Sequence, residues 1–159
     1  MRFGQLAADR GWRLVYGAGD VGLMGAAARA AQNAGGATLG VIPAHLLDAE
    51  RHADNTANLI VTETMHERKK VMFMNSEAIV VLPGGAGSLD EFFEVLTWRQ
   101  LGLHDKPILL LDTEGYWQPL DALIGHVIAH GFATPRLRNL YRLIADVPAL
   151  DAALRKTLS

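Results

Sequence analysis

Short runs of aliphatic residues recur along the chain, separated by longer stretches in which apolar residues return every third or fourth position. The runs at residues 13–16, 37–42, 58–61, 78–82 and 107–111 read as strands, with a weaker one at 141–145. Several are nearly unbroken Val, Ile and Leu, as in strands covered by helices on both faces. Between them, residues 22–34, 65–75, 89–101 and 120–130 read as helices; the first stops at Gly35-Gly36 and the last at Gly131. Residues 3–10 read as one more helix, stopped by Gly11. Strands alternating with helices predict a parallel α/β sheet.

Composition narrows the picture. The 159 residues suit a single domain spanning 1–159, and 50% hydrophobic with 20% charged residues fits a packed core. A domain of this size buries roughly two thirds of its unfolded surface and needs no disulfide or metal staple. There is no Cys, which removes thiol catalysis and Cys-based zinc sites. Fifteen basic and 17 acidic residues, with no long block of one sign, argue against a nucleic-acid footprint. No apolar run approaches the ~20 residues of a membrane span, and the first residues lack a signal-peptide core. The expected address is the cytoplasm, with no membrane partner.

Two glycine-rich turns each follow a predicted strand and lead into a helix. The first, Tyr16-Gly17-Ala18-Gly19-Asp20-Val21-Gly22, fits the G-x-G-x-x-G pattern of a dinucleotide site. That pattern also wants an acidic residue at the end of the next strand to hold a ribose hydroxyl. Here the strand ends Val41-Ile42-Pro43-Ala44, and Asp48 and Glu50 come several residues later. Two other readings stay open: glycines serving only a tight turn and close helix–sheet packing, or a turn holding part of a nucleotide in another manner.

The second turn, Leu82-Pro83-Gly84-Gly85-Ala86-Gly87-Ser88-Leu89-Asp90-Glu91, offers backbone N–H groups and a helix N-terminus to an anion. No Lys follows Gly87, so it is not a Walker loop, and it does not fit a nucleophile elbow. Ser88-Leu89-Asp90-Glu91 also spells a capping box worth about 1 kcal/mol, with Ser88 as the cap and Glu91 reaching back. The competing reading turns Glu91 toward the far end of a ligand, such as a sugar, because a carboxylate repels a phosphate beside it.

Thr64-Met65-His66-Glu67-Arg68-Lys69-Lys70 opens a helix with another capping box, Thr64 with Glu67. Met65, Arg68, Lys69 and Met72 share one face. Cations snorkelling over apolar packing are one reading of this face. A guanidinium directed into a pocket, gripping phosphate or sugar through two parallel donors, is the other. His126 and His130 stand four apart, but Val127 replaces the Glu of a zinc-protease helix, and both read as helix-face residues. Phe92, Phe93 and Leu96 read as core, whereas Trp98 falls on another face and points to a subunit contact.

The segments LVYGAGDVGLM (14–24), MHERK (65–69), PGGAGSLDE (83–91) and EVLTWRQLGLHDKP (94–107) resemble the Lonely Guy (LOG) family. Its members are cytokinin riboside 5′-monophosphate phosphoribohydrolases, many of which carry the label lysine decarboxylase. MHERK together with PGGxG[ST]xxE is far more specific than either glycine turn alone. The resemblance implies a Rossmann-like, doubly wound parallel sheet with helices on both faces. It implies hydrolysis of the N-glycosidic bond of an adenosine 5′-monophosphate, often N6-prenylated, to free base and ribose 5-phosphate. A nucleosidase of other base preference, and a non-catalytic binding module like the molybdenum-cofactor carriers, are the alternatives on the same fold.

The resemblance also implies that Arg68 and Glu91 form the catalytic pair. It puts substrate contacts on Glu50, Met65, Arg68, Lys69, Gly84, Gly85, Ala86, Gly87, Ser88, Leu89, Asp90, Glu91 and Thr97, joined by Gly17 and Gly19 of the first turn. The second turn would hold the 5′-phosphate, Arg68 the phosphate or ribose, and Glu91 would face the sugar, where cleavage develops positive charge. Glu50 is the candidate for a second carboxylate. A homodimer with active sites near the interface, no redox cofactor and no required metal complete what the resemblance implies.

The sequence departs from the family pattern in three places. Ala18 stands for the middle Gly of the usual YGGG, and Ser88 stands for a Thr while keeping the hydroxyl. Members also open with a strand ending in a Gly-Ser-Ser type of turn, central in the sheet. The sequence starts after that point, so the expected sheet lacks its usual N-terminal strand.

Overall fold

A computed structural model describes residues 2–47 and 58–158. The chain divides into two compact units, Met1–Ser76 and Glu77–Ser159. Each is built on a three-stranded, all-parallel sheet with helices between strands among the described residues, the α/β architecture that the alternating pattern predicts.

The first unit runs α1 (Arg2–Asp9), β1 (Leu14–Tyr16), α2 (Gly22–Asn33), β2 (Thr38–Pro43), β3 (Asn58–Thr62) and α3 (Met65–Met74). Its sheet has the order β1-β2-β3, with Leu14 beside Thr38 and Leu39 beside Asn58. The central strand β2 is buried along its whole length. Helices α1 and α2 meet through small residues: Ala7, Ala27, Ala28 and Ala31 are buried there. Gly4 lets the backbones touch, since a Cβ at this position would lie 2.0 Å from the Ala27 carbonyl oxygen.

The second unit runs β4 (Ile79–Val81), α4 (Ala86–Gln100), β5 (Ile108–Leu111), α5 (Gln118–Ala129), β6 (Arg142–Ile144) and α6 (Val147–Arg155). The order is β4-β5-β6. All four residues of β5 are buried, and Phe92, Ile124 and Leu150 are fully enclosed around the sheet. Phe93 departs from the core reading: the next residue on α4 turns about 100° away from Phe92, and its ring is 39% exposed.

The six strands lie within a residue or two of their expected places. Helix α6 is the element the pattern did not announce, although its signals are present. Asp146 caps it by accepting the Ala149 N–H at 2.8 Å, Pro148 sits in the first turn, and Leu150 and Leu154 recur on its buried side. Helices α1, α2, α4 and α5 all end alike. A glycine with φ between +68° and +78° (Gly11, Gly35, Gly102, Gly131) closes a Schellman turn, as in the bonds from Gly35 N–H to Gln32 and Gly36 N–H to Ala31. Among the described residues no helix is long and apolar enough to cross a membrane.

One polar network is built into the second unit. Asp121 accepts from the Tyr141 hydroxyl at 2.6 Å and from the Arg138 guanidinium at 2.6 Å. Burial raises the Tyr141 phenol above its ordinary value near 10, and the Asp121 carboxylate raises it further, with Arg138 opposing. A phenol that resists ionisation in the folded chain stabilises it fully below its ordinary value near 10, and the contribution fades as pH climbs from there toward the raised folded value. Denaturant midpoints measured from pH 8 to 11.5 should therefore decline above about pH 10. Tyr141→Phe should flatten that decline; an equal slope in the variant would assign it to other groups.

Candidate active site

Each unit carries one glycine-rich turn at the C-terminal end of its first strand, where ligand sites collect in parallel sheets. In the first unit the turn after β1 is deeply placed: Gly17, Ala18 and Gly19 are all buried. Val21 caps α2 with extended backbone and no side-chain hydrogen bond. A Cβ at Gly25 would lie 2.2 Å from the Asp20 carbonyl oxygen, so this glycine serves close packing of helix on turn. Ala18 has φ +61°, a left-handed conformation costing an alanine roughly 1–2 kcal/mol, which is why a glycine is the easier occupant. Its methyl faces the strand next door, where a Cβ at Gly40 would meet the Ala18 Cβ at 3.0 Å and Leu59 at 2.7 Å.

Gly17 serves a different neighbour. The guanidinium of Arg68 donates from Nη2 to the Gly17 carbonyl at 2.7 Å, and a Cβ on Gly17 would stand 1.8 Å from that nitrogen. The α3 N-terminus that supplies Arg68 is fixed by the capping box expected from the sequence. Thr64 Oγ1 accepts the Glu67 N–H at 3.2 Å while the Glu67 carboxylate accepts the Thr64 N–H at 3.3 Å.

Arg68 itself is buried, at 7% exposure. Its Nη1 lies 3.8 Å from the Met65 sulfur, a weak contact, and its Nε is buried without any hydrogen-bond partner. No carboxylate pairs with it among the described residues. Lys69 is half-buried, whereas Met65 and Lys70 are exposed. The snorkelling reading thus fails for Arg68, which is a desolvated cation held by one carbonyl. Such a group favours an anion strongly, because burial of the charge costs several kcal/mol without one.

In the second unit the turn after β4 differs from its expected form. Helix α4 starts at Ala86, three residues early, with Gly85 as its N-cap. Ser88 therefore lies inside the first turn, and the expected Ser88–Glu91 capping box is absent. The physical reason is Gly84: a Cβ there would sit 2.1 Å from Ser88 Oγ, and its absence lets Ser88 fold back over the turn. A glycine cap has no side chain, and Leu89 N–H makes the first intrahelical bond, to Gly85 at 3.1 Å. The amides of Ala86, Gly87 and Ser88 thus have no carbonyl one turn behind them. Gly85, Ala86 and Gly87 are exposed, and the first turn contains no acidic residue, which together give this helix end the chemistry an anion needs.

Glu91 is half-buried one turn further along, on the side of the helix shared with Gly87 and Ser88; Leu89 is half-buried and Asp90 exposed. Thr97 is not brought to the turn. It lies eleven residues down α4 from Ala86, ~16 Å at the rise of an α-helix, and its hydroxyl donates to the Phe93 carbonyl at 2.7 Å. Glu50 falls outside the described residues. His126 and His130 are exposed with rings 4.1 Å apart, as helix-face residues should be.

One neighbour of the turn went unforeseen. The Tyr116 hydroxyl donates to the Gly84 carbonyl at 2.8 Å. The signal was its place in the segment that follows β5, since the segments after parallel strands gather at one end of a sheet.

A family model described as "Possible lysine decarboxylase" matches residues 24–154. A cytokinin riboside 5′-monophosphate phosphoribohydrolase of Rhodococcoides fascians is 42% identical over 164 residues, covering 97% of this chain and 82% of that protein. The chain belongs to the LOG family. A second cytokinin riboside 5′-monophosphate phosphoribohydrolase, from Mycobacterium tuberculosis, is 46% identical over 132 residues, covering 83% of this chain and 71% of its own. Among solved structures, a molybdenum cofactor carrier protein of Chlamydomonas reinhardtii aligns with a TM-score of 0.71 at 26% identity, covering 99% of this chain and 84% of that one. This LOG-family chain therefore shares its fold with proteins of a different stated role, and the residues of the site, not the fold, must carry the functional argument.

Proposed function

We propose that the chain hydrolyses the N-glycosidic bond of adenosine 5′-monophosphates, N6-substituted ones included, releasing free base and ribose 5-phosphate. The observation that carries this reading is Arg68: a buried guanidinium with an unpartnered Nε and, among the described residues, no carboxylate beside it suits an anionic substrate. The names of the relatives at 42% and 46% identity point the same way.

In this reading the amides at Gly84, Gly85, Ala86, Gly87 and Ser88 hold the 5′-phosphate. Arg68 and Lys69 neutralise phosphate or fix the ribose. Glu91 stabilises positive charge at the anomeric carbon as the bond to the base lengthens, and orients or deprotonates the attacking water. Glu50 is proposed as a further substrate contact. A carrier needs no carboxylate at that carbon, so Glu91 favours hydrolysis over carriage. We place the reaction in the cytoplasm and assign a homodimer. Its contact would run along the outer stripe of α4, where Phe93 and Leu101, exposed by 39% and 68%, flank Thr97.

The test is direct. Incubation with AMP and with isopentenyladenosine monophosphate, followed by chromatography, should release the free base from at least one. A chain that binds both nucleotides and cleaves neither would move the carrier reading ahead. Gly17→Ala is a sharper check on Arg68. The three atoms nearest the added methyl all belong to the Arg68 guanidinium and none to backbone, so the side chain is expected to move and the fold to persist. Displacement of about 1 Å should lower kcat/KM about 10²-fold, while the melting midpoint shifts by less than about 4 °C. A parallel collapse of both quantities would mean that Gly17 is needed for folding alone.

A further inference from the structure

We infer that Tyr116 is a positioning residue for the second glycine turn, its hydroxyl fixing the peptide between Gly84 and Gly85 so that the Gly85 amide faces the phosphate of the substrate. This inference rests on the phosphate-cradle reading given above.

The argument begins with the peptide unit. Tyr116 Oη donates to the Gly84 carbonyl at 2.8 Å. A trans peptide is planar, with its C=O and N–H on opposite sides, so gripping the Gly84 carbonyl also sets the direction of the Gly85 N–H. That peptide has glycine on both flanks, so nothing in its local sterics opposes a flip. Ser88 does not supply the restraint, because its hydroxyl lies against the Cα side of Gly84. Gly85 is also the N-cap of α4, so a flip there would disorder the first donor of the anion-binding helix end.

The segment that presents Tyr116 is constructed for precision of placement. The Asp112 carboxylate accepts the Trp117 N–H at 2.6 Å and the Gln118 side-chain amide, and its carbonyl accepts the Gly115 N–H at 3.0 Å. Trp117 is buried and meets the Tyr116 ring edge-on, centroids 4.9 Å apart. Glu114 is held at φ +57°, a conformation a non-glycine residue keeps only where its surroundings impose it. Despite these restraints Tyr116 is 50% exposed, so packing is not what its ring supplies.

Tyr116→Phe keeps the ring against Trp117 and removes only the hydroxyl. Calorimetric titration should show ribose 5-phosphate binding about three- to tenfold more weakly, the range of one neutral hydrogen bond. KM for AMP should rise by a similar factor with kcat little changed, and adenine affinity and the melting midpoint should stay put. A general structural role would instead move adenine affinity and melting together, and that result overturns the inference. Equal ribose 5-phosphate affinity in native and variant chains overturns it as well, leaving the hydrolase reading intact if AMP is still cleaved. If the native chain cleaves neither nucleotide yet the variant binds ribose 5-phosphate more weakly, the hydrolase reading fails and the positioning role of Tyr116 stands. If the native chain binds no ribose 5-phosphate, the phosphate-cradle reading and this inference fall together, and cleavage of AMP alone decides the hydrolase reading.

Discussion

Glu91→Gln should reduce turnover of the nucleotide about 10³-fold while leaving ribose 5-phosphate affinity unchanged or slightly improved. The amide has the shape of the carboxylate but is neutral, and one of its two acceptor oxygens becomes an NH2 donor, so the substitution removes the charge at nearly constant volume. Glu91 lies one turn beyond the uncapped start of α4, and that first turn has no acidic residue of its own. Removing the negative charge takes repulsion away from a phosphate at the helix end, which accounts for the expected direction of the binding change. The loss in kcat follows because a neutral amide stabilises little positive charge at the anomeric carbon and cannot accept a proton from water. Steady-state kinetics and calorimetry on one preparation separate the two effects. Undiminished kcat in Glu91→Gln would remove this residue from the chemistry. It could not then be reassigned as a helix cap, since Gly85 holds that position.

Arg68→Ala should lower kcat/KM by about 10²–10³-fold, the usual cost of deleting a preorganised charged donor. Ribose 5-phosphate affinity should fall with it, which distinguishes this variant from Glu91→Gln. The ligand-free chain should lose little stability. The bond from Nη2 to the Gly17 carbonyl is lost, but so is the desolvation cost of a buried cation with an unpartnered Nε. Arg68→Lys should recover only part of the activity, because an ammonium is a point charge and lacks the two parallel donors of a guanidinium. A full recovery by Lys would show that charge alone matters at this position. A large fall in the melting midpoint of Arg68→Ala would instead mark the residue as structural.

Much of this was legible in the residue pattern, for identifiable reasons. The six strands are short, aliphatic and bounded by glycine or polar turns, and Gly11, Gly35 and Gly131 announce helix ends because only glycine adopts the required backbone cheaply. The Thr64–Glu67 box could be read because both partners lie within one helical turn. The Ser88–Glu91 box fits the same spacing rule and is absent, because a glycine at 84 lets the helix begin earlier and draws Ser88 inside it. Local spacing states which caps are available, and not which one the turn before the helix will select. Arg68 was visible as a residue, yet its burial was not, since burial depends on Gly17, 51 positions away in sequence. Tyr116 was invisible for the same reason: its partner lies 32 positions away, and no local pattern encodes that meeting.

Ala18 and Gly40 carry a lesson for anyone comparing variants of this chain. The methyl of Ala18 occupies the room into which a side chain at position 40 would have to grow. The two sites behave as a single volume shared between the first turn and the neighbouring strand, so the tolerance of either depends on which residue the other holds. Substitutions there will be epistatic: a change scored as harmful at position 40 in this background is a measurement of the pair.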